Sequence, residues 1–446
     1  MPANPVAATA PLEPGHRLAH AWYALGIFML LYGISYIDRL ILSLLAPAVS
    51  AQLHISDTQM GVLIGLGFGV LYSLTGLPLA HLIDRRRRIP LVVTGVVLWS
   101  ICTIASAFAP DFTWLMIFRS GVAIGEAVLS PAAISLIADL FPRKRRTLPT
   151  AAYTGVSAVM YSGSYIAGGA ALQLATGMSA QLALEPWQIT LMLVGLPGLL
   201  LAPLLWITVP EPPRVGDVAS EQFATASEAV AYLKRKRMLY GCLFLGNAMV
   251  GMVNFAMASW TPTLLIRAHG MEASHAGYAF GTVGLVSSLI GVMTWPALVK
   301  AWTDRGRRDA LVLVFTMALT ASWICLSIVG LTRSTITLLV LAGIGTFFSA
   351  AMGVLVPLLI QMVTPGRMRA RIMALYLTAG NLVGLAAGPP LAALFGEKLF
   401  EGPFAIGSGL ALLVLVAGPV ATLSTWAMRR QYRTALAEAE AREAAA

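Results

Sequence analysis

Apolar residues run along this chain in long stretches, separated by short polar segments. A helix needs about 20 consecutive apolar residues to cross the hydrocarbon core of a bilayer. Twelve stretches meet this length, and a polar linker separates the sixth from the seventh. An even number of spans places both chain ends on one side of the membrane. The predicted spans, numbered 1 to 12 below, are 21–48, 58–82, 89–109, 111–140, 148–175, 187–209, 238–268, 274–301, 310–331, 334–363, 368–396 and 404–428.

Composition supports a polytopic membrane protein. Of the 446 residues, 58% are hydrophobic and 11% are charged, whereas an average soluble domain is about 25% charged. The three cysteines lie far apart within apolar stretches, as buried small side chains do, so we expect no metal site and no cofactor. The first 20 residues lack an apolar core, so we expect the first span to serve as the insertion signal.

Basic residues fall almost entirely on one side of the predicted spans. Of the 30 Lys and Arg residues, 25 lie in the tails, the linker and the loops on the side of the termini. Three lie on the opposite side, and Arg39 and Arg119 lie within spans. Because cytoplasmic loops are enriched in Lys and Arg, this asymmetry predicts that both termini and the linker lie in the cytoplasm. It also accounts for the net charge of +10 without a nucleic-acid partner.

The two halves of the chain repeat one another. The run DRRRR at 84–88 follows span 2, and DRGRR at 304–308 follows span 8, an offset of 220 residues. A constant offset indicates two parallel six-helix halves. The predicted division is an N-terminal tail 1–20, a first bundle 21–209, a linker 210–237, a second bundle 238–428 and a C-terminal tail 429–446. Within the linker, about 221–237 is predicted to form an amphipathic helix on the cytoplasmic surface.

Five motifs resemble known transporters. The segment AHLIDRRRR at 80–88 resembles the loop signature G-x-L-x-D-R-x-G-R-R of the major facilitator superfamily, with Ala80 and Arg87 in place of two glycines. The segments IDR at 37–39, SDTQMGVL at 56–63 and RSGVAIGEA at 119–127 resemble the spinster branch, as does ADLFP at 138–142. The resemblance implies an all-α fold of twelve transmembrane helices in two pseudo-symmetric bundles, which works as a secondary carrier.

Four ionisable residues lie well inside the spans of the first half: Asp38, Arg39, Arg119 and Glu126. A charge at membrane depth costs roughly 2.5–3.5 kcal/mol on insertion scales. Helical rise places Asp38 and Arg119 at similar depth, which allows an ion pair between spans 1 and 4, and Glu126 lies two turns farther along the same face. One interpretation is that these charges only staple the two spans together.

The alternative interpretation is proton coupling, and two acids with two bases at two depths favour it over a staple. An acid in a low-dielectric site changes its proton affinity when its cationic partner moves. The spinster resemblance implies the same role for the acids of spans 1 and 4. We therefore expect Asp38 and Glu126 to be the proton-coupling residues and Arg39 and Arg119 to be their charge partners.

Substrate contacts are less clearly marked than the charges. The second half has no matching acids, but span 7 carries a polar stripe at intervals of seven residues. For its two Asn residues, hydrogen bonding between helices is the alternative, and for the tyrosines it is packing. The substrate-cavity candidates are Tyr36, Tyr153, Tyr161, Asn247, Asn254, Thr261 and Asn381.

A cytoplasmic gate is expected where spans 2 and 8 end. An Asp there accepts hydrogen bonds from Arg or from a helix N-terminus and stabilises one closed interface. The arginines alone are explained by topology, but Asp84, expected on the buried side, is not. We expect Asp84→Asn to shift the balance between inward and outward states. The gate candidates are Asp84, Arg85, Arg88, Asp304 and Arg305.

The predicted function is proton-coupled secondary transport by alternating access. No phosphate-binding G-x-x-x-x-G-K-[ST] sequence occurs, so gradients are the expected energy source. The candidate cavity faces are apolar and aromatic, which suits an amphiphile better than a sugar. The resemblance implies a lysophospholipid or sphingolipid-like substrate, with Arg39 or Arg119 as the partner of its anionic group, and a bacterial inner (plasma) membrane. We also expect proton antiport as the direction and a monomer as the state.

Three rival functions stay open. The first is also a transport function, in which the cargo would be a small organic anion or a hydrophobic drug instead of a lipid. A membrane-embedded lipid enzyme is less well supported, because the six histidines do not cluster with carboxylates. The third rival is a sensor on a carrier fold that transports nothing, because fold does not fix function.

Overall fold

The computed structural model describes residues 14–214 and 226–444, which form helices joined by short loops. Twelve helical segments follow the twelve predicted spans, so the all-α fold is confirmed, and each span is named below by its predicted number. Spans 1 to 6 are Pro14–Leu53, Asp57–Arg85, Arg88–Ser106, Phe112–Leu140, Thr147–Leu182 and Pro186–Thr208. Spans 7 to 12 are Arg237–Arg267, Ala273–Asp304, Ala310–Val329, Thr335–Val363, Gly366–Leu399 and Ala405–Ala427.

Eleven of these segments, counted within the described residues, are long and apolar enough to cross a membrane. Span 5, 36 residues long, is not among the eleven. Its sequence is rich in Ser, Thr, Gly and Tyr, which lowers its hydropathy. It packs against spans 1, 6 and 8, so much of its surface contacts protein instead of lipid.

Within the described residues, two further α-helices lie outside the spans. The linker helix, Ala226–Arg235, falls within the predicted amphipathic segment, and Tyr232 from it is buried, with its hydroxyl donating to the Val363 carbonyl at 3.2 Å. The C-terminal helix is Arg429–Ala444. Residues 1–13 of the predicted tail and 215–225 of the predicted linker lie outside the described residues.

Two spans of the first half are interrupted, and both interruptions lie near the charged residues. Span 2 contains a π-helical turn at Leu63–Gly67, immediately before Phe68. Such turns are frequent at functional sites. Span 4 consists of two helices, Phe112–Glu126 and Leu129–Leu140. Glu126 therefore ends the first of them.

The two halves contact one another at the middle of the spans and on the side away from the chain ends, called the far side below; the opposite side is the termini side. Gly65 in span 2 lies against Leu385 and Pro390 of span 11, leaving no room for a side chain. Gly169 and Tyr165 in span 5 lie against the first turns of span 8.

Toward the termini side the halves separate. Leu385 contacts Gly69 and is buried, whereas Asn381, one turn closer to the termini side, is exposed. Span 5 shows the same change, since Thr154 and Gly155 are exposed while Gly168 is buried. The spans therefore enclose a cleft that opens toward the termini side and is closed at the far side.

Candidate functional site

Asp38 and Arg119 form a buried ion pair between spans 1 and 4. Arg119 Nη1 lies 2.9 Å from Asp38 Oδ1, and both side chains are 1% exposed. Thr103 from span 3 donates its hydroxyl hydrogen to Asp38 Oδ2. The carboxylate thus receives hydrogen bonds from two other spans, as a buried charge requires. The pair expected from helical rise is present.

Arg39 pairs with the other acid of the set. Its Nη2 lies 2.9 Å from Glu126 Oε2, with the Glu126 side chain fully buried and that of Arg39 16% exposed. Gly125, next to Glu126, lets span 4 pack closely against span 3, because a side chain at this position would collide with the Gly95 carbonyl and with Trp99. Neighbouring residues of span 1 therefore bind two different turns of span 4.

Aromatic rings surround the Arg39 guanidinium. Its carbon lies 5.2 Å from the ring centre of Tyr36, 5.0 Å from that of Phe68 and 4.8 Å from that of Tyr72. These distances are within the range of a cation–π interaction. The Phe68 ring also lies 5.7 Å from the Arg119 guanidinium, so it contacts both arginines.

The sequence pattern did not predict the aromatic and polar residues that surround the charges. Phe68 and Tyr72 are four residues apart, the spacing of one helix face, but nothing in the pattern of span 2 directs that face toward Arg39. Thr103 is a polar residue in an apolar stretch, and this feature of the sequence could have identified it as a partner of a buried charge. Tyr32, which stacks on Tyr153 with ring centres 4.7 Å apart, gave no signal.

The four charges sum to zero, yet they are not fully hydrogen bonded. Arg39 Nε and Arg119 Nε are buried without a protein hydrogen-bond partner. An unpaired buried polar atom costs about 1–3 kcal/mol. Protonation of either acid removes the partner of one arginine, and the set as a whole then becomes cationic. The arrangement can therefore convert proton binding into a change of partner.

The other first-half candidates lie near this site. Tyr36 contacts Arg39, as described, and Tyr153 is buried with its hydroxyl 3.3 Å from the Ser130 hydroxyl. Tyr161 donates its hydroxyl hydrogen to the Asn254 carbonyl oxygen at 3.2 Å and so links span 5 to span 7.

The polar stripe of span 7 does not face one cavity. Asn247 is buried and donates to the Tyr376 carbonyl of span 11 at 2.7 Å, which is the interhelical alternative. Asn254 accepts from the Ser349 hydroxyl at 3.2 Å, and Thr261 is buried with its hydroxyl oxygen unpartnered. Seven residues fall about 20° short of two helical turns, so the stripe drifts around span 7. Asn381 is exposed beside the cleft.

The expected buried placement of Asp84 is wrong, because Asp84 and Arg85 are both exposed. They end span 2 where the halves have separated, so no opposing surface covers them. The backbone carbonyl of Asp84, not its carboxylate, accepts a hydrogen bond from Arg214. In span 8, Asp304 accepts from Lys300 at 2.8 Å within its own helix, and Arg305 is exposed.

Arg88 is not paired with Asp84 as a gate residue but is buried within the first half. It contacts Asp139, and its Nε donates to Glu211 at 2.8 Å. Further hydrogen bonds reach the Ser135 hydroxyl at 3.1 Å and the Pro212 carbonyl at 3.0 Å. Arg88 thus connects the first residue of span 3 and the last turns of span 4 to the start of the linker.

Partial burial by itself raises the pKa of the Glu211 carboxyl, but this effect is outweighed. Hydrogen bonds from the Ile89 backbone N–H and from Arg88 lower the pKa below its ordinary value. The ionised form of Glu211 therefore stabilises this corner. Among the residues that the structure describes, no cluster of His, Cys, Asp and Glu has the composition of a metal site.

Comparison with known proteins agrees with this architecture. The sequence model of the Major Facilitator Superfamily matches residues 28–384. An MFS-type efflux pump of Mycolicibacterium smegmatis is 27% identical over 434 residues, which cover 95% of this chain and 96% of the pump. Protein spinster homolog 1 of Xenopus laevis is 27% identical over 83% of this chain and 72% of its own length.

Two further similarities concern the same branch. Sphingosine-1-phosphate transporter SPNS2 of Danio rerio is 27% identical over 82% of this chain and 74% of its own length. A bacterial homolog to the human lysosomal transporter Spinster, crystallised in an inward-facing and unoccupied conformation, has a TM-score of 0.80 at 23% identity. That similarity covers 96% of this chain and 99% of the other, and it shows a shared fold.

Proposed function

Because the chain belongs to the Major Facilitator Superfamily of transporters, we propose that it is a proton-coupled secondary carrier of an amphiphilic, lipid-like substrate. The observation that carries the proposal is the buried set of two acids and two arginines, in which each acid has one arginine partner. A family member that only needed to hold spans 1 and 4 together would require one such pair.

The proposed coupling step is proton exchange at Glu126 and Asp38. A proton on Glu126 neutralises the partner of Arg39, and the Arg39 side chain, already 16% exposed, is then free to turn toward the cleft. Loss of the proton restores the pair. Because the charge state of the set differs between the two situations, protonation biases the conformation of the spans that carry it.

The proposed movement is a rocking of the first half, 21–209, against the second, 238–428. The cleft open toward the termini side is one state, and a cleft open toward the far side is the other. The Lys and Arg distribution supports assignment of the termini side to the cytoplasm, and the similarity to a bacterial efflux pump supports a bacterial inner membrane. We propose that the carrier works as a monomer.

An amphiphilic cargo is supported by the aromatic lining and by the relatives. Tyr36, Phe68 and Tyr72 present aromatic rings to the Arg39 guanidinium at the charge site. The similarity to a protein named as a sphingosine-1-phosphate transporter favours a lysophospholipid or sphingolipid-like molecule. The second candidate, a hydrophobic drug or small organic anion, is supported by the similarity to an efflux pump.

Flux in purified proteoliposomes tests the proposal. The panel contains a lysophospholipid, a sphingoid base, a dicarboxylate and a cationic dye, each measured with and without an imposed pH gradient. We expect an amphiphile to move, and its flux to depend on the gradient. Equal flux with and without the gradient would contradict proton coupling, and transport of the dicarboxylate alone would contradict the amphiphilic cargo.

A further inference from the structure

The rings of Tyr36, Phe68 and Tyr72, together with the Glu126 carboxylate, form a cage around one guanidinium; we call these four groups the aromatic cage. The three ring centres lie 4.8–5.2 Å from the cationic carbon, and a carboxylate occupies the remaining side. Proteins bind organic cations with aromatic rings in this arrangement. In this conformation the cation is Arg39 of the protein itself.

The contacts of Arg39 differ from those of Arg88, an arginine with a structural role. Arg88 is fully buried, and its Nε, Nη1 and Nη2 atoms each donate a hydrogen bond to a fixed acceptor. Arg39 donates from Nη2 to Glu126, while its Nε has no partner and its side chain is partly exposed. Charge and ring contacts hold Arg39, so its departure breaks few directional bonds.

We propose that the aromatic cage binds the cationic headgroup of the transported amphiphile, and that Arg39 fills the cage when cargo is absent. This inference rests on the proposed function and adds the charge of the cargo to it. The exchange leaves the charge within the cage unchanged. The cationic headgroup enters, Arg39 turns toward the cleft, and Glu126 keeps a cationic partner. The apolar tail of the cargo then lies in the cleft.

The cage also fixes the direction of coupling. A proton on Glu126 removes the negative charge that holds the headgroup, so a proton and a cationic cargo compete for one site. Competition of this kind drives the two in opposite directions across the membrane, which is antiport. An anionic headgroup would instead bind to the arginine that a proton releases, and would travel with the proton.

Other titratable groups face the cage from every span packed around it. Tyrosine and cysteine ordinarily ionise well above neutral pH, and Asp38 is already paired with Arg119 and hydrogen bonded by Thr103. Glu126 is the carboxylate in contact with the caged cation. The surrounding groups are Tyr32, Tyr36 and Asp38 of span 1, Tyr72 of span 2, Arg119 of span 4 and Tyr153 of span 5, while Cys102 of span 3 interacts with Asp38 instead of the cage.

Binding of radiolabelled tetraphenylphosphonium to the purified full chain tests the inference, with tetraphenylborate as an anion of matched shape. Neither probe titrates, so any pH dependence belongs to the protein. We expect the cation to bind, tetraphenylborate not to compete, and the affinity for the cation to fall as pH decreases.

Loss of one ring in Phe68→Leu or Tyr72→Leu should weaken binding of the cation by about 3- to 30-fold. Phe347→Leu, in an aromatic cluster of the second half, is the matched control and should bind as wild type.

Arg39→Gln separates the two signs of cargo. If Arg39 competes with the cation, its removal strengthens tetraphenylphosphonium binding, and the pH dependence persists through Glu126. If Arg39 is an anion receptor, tetraphenylborate binds the wild type and the variant loses it, which overturns the inference. Should Arg39→Gln not fold, cation affinity that is independent of pH and unchanged in Phe68→Leu overturns it equally.

These binding measurements are independent of flux. A protein that binds the cation in the cage but moves substrate without regard to the pH gradient refutes the proposed proton coupling and leaves the cage intact. A protein with gradient-driven flux but no cage binding refutes the cage alone.

Discussion

Asp38 and Arg39 are adjacent residues whose side chains bind partners two helical turns apart on span 4. Depth and periodicity predicted the Asp38–Arg119 pair from sequence, because both quantities depend only on helical rise. They did not predict the partner of Arg39, since that depends on rotation about the axis of span 1 and on the Gly125–Gly95 approach. The aromatic rings of span 2 escaped prediction for the same reason.

Removal of one member of the Asp38–Arg119 pair should destabilise the protein strongly. Arg119→Gln leaves the Asp38 carboxylate buried and without its cation, which costs about 3–5 kcal/mol for pairs of this kind. The double variant Asp38→Asn/Arg119→Gln should be less destabilised than the sum of the single changes. Thermal unfolding in detergent measures both effects.

Asp304→Asn is the control for that measurement. It removes the partner of Lys300, but both side chains of this pair are more than half exposed, and exposed pairs contribute little. We expect no measurable change in its unfolding temperature. An Arg119→Gln variant as stable as wild type would show that the buried pair is not holding spans 1 and 4 together.

At the scale of helices, the interruptions inside the spans are what the sequence pattern did not predict. Although several helices extend beyond the apolar stretch, as in Pro14–Leu53 and Thr147–Leu182, the positions of the twelve spans followed from apolar length. The π-helical turn of span 2 and the break in span 4 did not, because both arise from packing against other spans. The basic run at 84–88 was predicted as one unit, yet the structure exposes Arg85 and buries Arg88.

Glu211→Gln should make the first half less stable in a pH-dependent way. The pKa of Glu211 is lowered in the folded protein, so its contribution is fully present above the unfolded value of about 4.3. That contribution is lost as pH falls through the lower, folded value. We expect wild type to unfold at a higher temperature than the variant at pH 7, and the difference to shrink below about pH 4. A difference that stays constant from pH 7 to pH 3 would contradict this assignment.

The start of span 2 joins two spans of the second half at the far side. Arg267 Nη1 lies 2.7 Å from Asp57 Oδ1, and Glu397 accepts from the Thr58 backbone N–H at 3.0 Å and from its hydroxyl at 2.7 Å. Asp57→Asn and Glu397→Gln remove charge-assisted hydrogen bonds that exist only while the far side is closed. Both should favour opening of that side.

A single cysteine at Thr263 reports this opening. Thr263 is fully buried, with its hydroxyl donating to the Ser43 carbonyl between spans 7 and 1. With the three native cysteines replaced, Thr263→Cys should react severalfold faster with a small maleimide when combined with Glu397→Gln. Glu401→Gln, an exposed carboxylate near the same end, is the control. Equal rates in all backgrounds would contradict a latch at the start of span 2.

At the scale of the whole molecule, the internal repeat and the basic asymmetry predicted the twelve-helix plan, because both are properties of linear sequence. The conformation was not predictable, since two states of one chain share all its periodicities. The exposed position of Asp84 follows from the state: the cleft is open where Asp84 lies. Its predicted latch belongs to the proposed second state, in which the termini side closes.

Asp84→Asn should therefore act in the opposite direction to Glu397→Gln. It removes nothing that stabilises the present state, because the Asp84 carboxylate is exposed, but it weakens the proposed closed termini side. The variant should populate the present state more, and labelling of the Thr263→Cys reporter should fall below that of the parent. Unchanged accessibility on both faces would rule out a gating role for Asp84.

The most direct test of the central claim is proton movement driven by substrate. Proteoliposomes that contain a lumenal pH dye receive the amphiphile that the flux panel identifies, with no imposed gradient. Wild type should change the lumenal pH as the substrate moves, while Glu126→Gln and Asp38→Asn should show a reduced or absent change even where substrate still exchanges. Full proton movement in both variants would contradict the account, because the two buried acids would then not be the sites at which protons and transport are coupled.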